Sequence, residues 1–171
     1  MLELYNTIYW LLVNNRNEVV NTPRIDGQKL STFIGTSNFR IYGSYDDITR
    51  EGRYPGMVIT INSVAEADHP ETVRCLVQIF FFTTSQTSDY LFKTQLEIFF
   101  RLVEHFLAEY YDKMNGFSEV KNDQNQYVIR GKWHVESFKY RGSNPIIFNP
   151  RDKNYQLSTR WEAILTRDEP S

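Results

Sequence analysis

The sequence predicts an α+β domain: a mostly antiparallel sheet with one long helix packed on a face, and a further helix at the N-terminus. Three observations carry that expectation. Residues 57–62, 71–84, 126–137 and 154–166 alternate apolar and polar side chains with a period of two. Residues 87–114 repeat apolar side chains every three or four positions instead. The chain has 171 residues, 41% of them hydrophobic, enough for a single domain over 1–171 to bury a core without disulfides or metal.

Each element follows in order. Leu4, Ile8, Leu11 and Leu12 recur at helical spacing with Tyr5 and Tyr9 alongside, and the helix is expected to stop at the Asn-rich run 14–17. Pro23, Gly27, Gly35, Gly43, Gly52 and Pro55 then leave room only for short strands, the best candidates being 29–34 and 38–42. The densely charged stretch from Ser44 lacks an apolar period, so 44–54 is read as an extended, exposed loop. Met57, Ile59 and Ile61 share one face of the next strand. In 71–84, Val73, Cys75, Val77, Ile79 and Phe81 share a face, while Arg74, Leu76, Gln78, Phe80 and Phe82 make the other polar at one end and greasy at the other. That pattern predicts a central strand with a helix over one face and something apolar over half of the second.

The long helix is expected over 87–114. Phe92, Leu96, Phe99, Val103, Phe106 and Tyr110 form its stripe, Leu91, Ile98, Leu102 and Leu107 widen it, and Asn115-Gly116 closes it. In 126–137, Tyr127, Ile129, Trp133 and Val135 lie on one side and Arg130, Lys132, His134 and Glu136 on the other. The phase flips at Phe138 and Tyr140, which predicts a bulge. Tyr155, Leu157, Trp161, Ala163 and Leu165 point inward from the last strand. Between these two strands, 141–154 holds two prolines and exceeds the length of a plain hairpin, so it is read as a second extended loop. Residues 167–171 read as a flexible tail.

Composition and spacing exclude several function classes. A net charge of −2 does not suit a dedicated nucleic-acid binder, which needs surplus Lys and Arg. One cysteine rules out an intrachain disulfide framework. His69, His105 and His134 lack metal-ligand spacing, Cys75 sits among Val73 and Val77 as a buried thiol, and no glycine-rich phosphate loop occurs. The expectation is no enzyme, no cofactor and no metal. Glu3 is the first charge and no small-residue cleavage site follows the apolar N-terminus, so neither a signal peptide nor a membrane span is expected, and the chain reads as soluble and intracellular. Lys139, Tyr140, Arg141, Arg151 and Lys153, near Phe138 and Phe148, fit either a single-stranded nucleic-acid surface or a protein interface. Phe80, Phe82, Phe100, Tyr111, Tyr140 and Phe148 fall outside the inward stripes and predict association, unless both sheet faces are covered within the chain.

The element order carries a resemblance. A leading helix, a Pro23-Arg24-Ile25 segment, the stretch YPGMVITIN at 54–62, a strongly hydrophobic strand running into a long helix and a late hairpin resemble the tail terminator and neck-completion proteins of tailed bacteriophages and related injection systems. The resemblance spans about 2–166 and implies a structural virion protein, assembled in the host cytoplasm. Its partners would be itself, as a ring of six or more copies, then tail-tube or connector proteins, and double-stranded DNA only in passage through a lumen. The family has no catalytic residues to carry over, and its shorter members lack an extended 141–154 loop. Loops are the parts free to reach neighbours, which makes Asp46, Asp47, Arg50, Arg53, Tyr54, Tyr140, Arg141, Phe148 and Arg151 the interface candidates. The alternatives are a small-ligand-binding or catalytic α+β domain and a single-stranded nucleic-acid binder.

Overall fold

The first helix, α1 (Leu2–Asn14), buries Leu4, Thr7, Ile8, Leu11 and Leu12, the stripe its spacing predicts. It ends where the Asn-rich run begins. The Asn15 side chain donates to the Leu11 carbonyl at 2.8 Å and so competes with the helical ladder. Helix resumes at once in α2 (Arg16–Asn21), which the sequence reading did not anticipate. The computed structural model describes residues 2–21, 39–66, 69–84, 100, 103, 104, 107, 120–128 and 133–167. The strand expected at 29–34 lies outside them.

Among the described residues six strands form one sheet: β1 (Arg40–Tyr42), β2 (Gly56–Glu66), β3 (His69–Thr84), β4 (Trp133–Ser143), β5 (Ile147–Asn149) and β6 (Asn154–Arg167). Their order is β1-β2-β3-β6-β4, with β5 also paired to β6. Only β1 and β2 run parallel, in register Arg40 opposite Gly56; the other pairs are antiparallel. The α+β class and the mostly antiparallel sheet are therefore as expected.

The parallel pair corrects the loop expected at 44–54. Parallel neighbours need a crossover of about a dozen residues, usually helical, and here it holds α3 (Tyr45–Glu51). Ser44 caps this helix, its hydroxyl accepting from the Asp47 N–H at 3.4 Å and donating to the Asp47 carboxylate at 3.1 Å. Asp46 and Asp47 occupy the first turn and Arg50 the last, matching the helix dipole. Gly52 ends it at φ 61°, donating its N–H to the Ile48 carbonyl.

The greasy half of β3's outer face finds its cover in α3. Ile48, Val58, Phe82 and Tyr42 form a small buried cluster there, with Tyr45, Tyr54 and Phe80 packed around it. The inner face carries the main core, where α1 meets Ile59, Cys75, Val77, Ile79, Phe81, Leu157 and Trp161. Burial also pushes the Cys75 thiol pKa upward, as befits an inert core thiol. Most of the aromatic surplus assigned to the surface is thus internal. Phe82 and Phe100 are buried, and Tyr140 packs on Phe100 and Trp161 with ring centroids 5.4 and 5.3 Å away.

Of three further expectations, one is not established and two change. Phe100, Val103, Glu104 and Leu107 are helical, with Phe100, Val103 and Leu107 in the core, but the rest of 87–114 lies outside the described residues, so the long helix is not established as such. The strand expected over 126–137 is not formed at 126–128, 129–132 lie outside the described residues, and β4 is described from Trp133; residues 120–128 form a small turn closed by a Lys121–Tyr127 bridge, with the Asn122 side chain accepting from the Gln124 and Gln126 N–H groups. Tyr127, expected inward, is exposed beside the Lys121 ammonium. The 141–154 loop is largely structured: β4 runs to Ser143, β5 occupies 147–149, and a turn follows. The bulge predicted near Ser137 is present, between Val135 and Ser137.

Candidate protein-interaction site

The two segments read as loops come together at one end of the sheet. Tyr45, on α3, donates its hydroxyl proton to Asp152 Oδ2 at 2.5 Å and accepts from the amides of Asn149 and Asn154 at 3.0 and 3.3 Å. The Asn154 amide also donates to the Tyr54 hydroxyl at 3.2 Å. Asn149 shapes the turn itself, its side-chain oxygen accepting from the Arg151 and Asp152 N–H groups at 3.0 and 3.3 Å. Burial pushes the Tyr45 pKa up, and the bond to the Asp152 carboxylate pushes it further, because an ionised phenol would face that carboxylate without a proton to share. Tyr45 also packs its ring on Phe82, 5.4 Å between centroids, which ties this polar knot to the apolar cluster beneath it.

This corner closes the end of β5, which pairs with β6 at Ile147–Gln156, Phe148–Tyr155 and Asn149–Asn154. Asn144 fixes the approach with two bonds to Ser158, backbone N–H to carbonyl at 2.9 Å and side-chain amide to hydroxyl at 2.8 Å. Ile147 is 58% exposed and Phe148 44% exposed, although Phe148 lies against Tyr155 at 4.8 Å. Two large apolar side chains are thus presented on a braced edge of the sheet.

The nine candidates divide accordingly. Asp46, Asp47 and Arg50 are on α3, where Asp47 and Arg50 pair with each other at 2.6 Å. Arg53 and Tyr54 follow it, Arg53 accepting at its carbonyl from the Tyr42 hydroxyl at 2.8 Å and Tyr54 joining the corner through Asn154. Phe148 and Arg151 lie on β5 and the turn after it, in the same corner. Arg141 is apart, on the outer face of β4, bonded to Glu162 at 2.7 Å, a bond that lowers the Glu162 pKa. Tyr140 faces the core, so Lys139, Tyr140 and Arg141 do not offer an aromatic ring and a cation on one surface. The sequence reading missed Tyr45, Asn149, Asp152 and Asn154, which build the corner, and Ile147, which it presents. The Asn-Pro-Arg-Asp run at 149–152 was the available signal, since Asn before such a turn bonds its own backbone.

Among the described residues no group of three or more His, Cys, Asp or Glu side chains converges as a metal site, and no described helix is long and apolar enough to cross a membrane. No protein-family model matches the chain, and no curated protein matches it either.

Proposed function

We propose that this chain is a structural subunit of a homo-oligomeric ring that ends the tail tube, or joins tail to head, in a tailed bacteriophage or a related injection system. The observation that supports the reading best is the braced corner: Ile147 and Phe148 exposed on β5, fixed from behind by Tyr45, Asn149, Asp152 and Asn154. A preorganised apolar edge associates without first being ordered, which spares the entropy that a mobile loop loses on binding. Heterologous contacts of this kind, one patch against a different patch on the next copy, close into rings when the rotation permits. Leu76, 46% exposed on the outer sheet face, offers such a second patch. The reading includes the long helix over 87–114 as the backing of the sheet's inner face. Light scattering coupled to size-exclusion chromatography, with negative-stain imaging of the peak, tests it.

A second reading, a small-ligand-binding domain, is favoured by one feature, a cleft of about 450 Å³ between α2, β1 and α3.

A further inference from the structure

Three arginines from three elements converge on that cleft. Arg16 comes from α2, Arg40 from β1 and Arg50 from α3, and Tyr9, Asp47 and Glu51 complete the wall. Arg50 is engaged with Asp47 at 2.6 Å. Arg40 approaches Glu51 only to 3.7 Å, too far for a hydrogen bond. Arg16 is the least satisfied. Its guanidinium lies over the Phe39 ring at 5.6 Å, and its Nε is buried with no hydrogen-bond partner.

Among the described lining residues, three guanidinium groups stand against two carboxylates, one positive charge in excess, in a chain whose net charge is −2. A buried charged donor without a partner is costly, and a guanidinium presents its donors in a planar fork that matches a carboxylate. One added negative charge balances the wall, whereas a polyanion would meet Asp47 and Glu51. At about 450 Å³ the cleft is larger than one carboxylate side chain and leaves room for the backbone on either side of it. Tyr and Arg, which supply most of the lining chemistry, are also the residue types on which protein partners anchor.

We propose that the cleft is a docking site for one acidic side chain, an Asp or Glu carried on a partner polypeptide, clamped between Arg16 and Arg40. The site is independent of the ring and holds for any chain that presents such a residue.

The test follows the arginine Nε–Hε resonances of the ¹⁵N-labelled full chain during titration with a capped Gly-Asp-Gly peptide, its Gly-Asn-Gly counterpart and inorganic phosphate. The Asp peptide is expected to shift the Arg16 and Arg40 signals saturably, the Asn peptide to leave them unmoved, and phosphate to bind at least tenfold more weakly. Arg16→Gln should weaken the Asp peptide at least tenfold while leaving the ligand-free melting temperature unchanged or higher, because it removes an uncompensated charge. Arg16→Lys, which keeps the charge and loses the fork, should fall between. Unsaturable shifts, equal response to the Asn peptide, phosphate binding as tight as the Asp peptide, or full affinity in Arg16→Gln would each overturn the proposal. Peptide binding by a chain that stays monomeric would sink the ring and leave the cleft standing.

Discussion

The Tyr45 hydroxyl takes hydrogen bonds from Asn149 and Asn154 and gives one to Asp152, so its removal leaves three polar partners short at once. Tyr45→Phe keeps the ring against Phe82 and deletes only the oxygen. The expected cost is about 1–3 kcal/mol, the penalty for stranding partly buried polar groups, read as a lower urea midpoint. The same residue carries a pH signature. Its folded pKa is raised above 10.0, so the folded chain holds the proton more tightly than the unfolded one. That contribution to stability is complete below pH 10 and is lost as pH climbs through the raised folded value. Stability should therefore fall on the alkaline side, and less steeply in Tyr45→Phe than in the parent; equal slopes would contradict the assignment. Gly56 is the second sensitive position. A Cβ there would meet the Tyr42 ring at 2.9 Å, and that ring is held by its hydroxyl bond to the Arg53 carbonyl. Gly56→Ala should cost about 1–3 kcal/mol through overpacking.

Among the elements, α3 determines what the rest of the outer face can be. It buries only Ile48, so its stability depends on its ends more than on packing. Ser44→Ala should cost about 1 kcal/mol by removing the cap. Gly52→Ala should cost a similar amount, about 1 kcal/mol, because Gly52 sits at φ 61°, where a Cβ is strained although open space surrounds it. Equilibrium unfolding of each variant checks both values. This element also explains what the sequence concealed. The period-two strands were legible because β2, β3 and β6 bury one face continuously, and the Phe138 phase flip marked the β4 bulge for the same reason. A seven-residue helix with one buried side chain leaves no apolar period to detect. Its signals were the Ser44-x-x-Asp47 cap, the terminal Gly52 and the parallel β1–β2 pairing that demanded a crossover, and the last is invisible before the sheet is known. With α3 unseen, Phe82 and its neighbours looked like surface, which inflated the apparent apolar excess. The 126–128 stretch misled differently. Its alternation continued that of β4 in phase, yet the Asn122 side chain captures the Gln126 N–H and the Val120 carbonyl takes the Val128 N–H, which closes a local turn instead.

On the scale of the whole molecule, the proposed self-association runs through one corner of the sheet. Ile147 and Phe148 sit on the short β5 and are both exposed; as neighbours on a strand they face opposite sides of the sheet, Phe148 with its ring against Tyr155 of the main core. Ile147→Asp with Phe148→Asp should abolish association while the monomer keeps its cooperative melt, since exposed positions cost little when made polar. Gln124→Ala is the matched control: its side chain is exposed in the turn at 120–128, on neither proposed patch, and association should persist. The candidate site was legible only in outline. Charge and proline content singled out the two segments that meet at the corner, 44–54 and 141–154, but their meeting through Tyr45 and Asp152 is a long-range contact that no local pattern encodes. The most direct measurement is the mass of the unmodified chain across a concentration series by light scattering. The account predicts a discrete closed oligomer, seen as a ring by negative stain and reduced to monomer by the Ile147→Asp, Phe148→Asp pair. A chain that remains monomeric at every concentration, or an oligomer untouched by that double substitution, would contradict it.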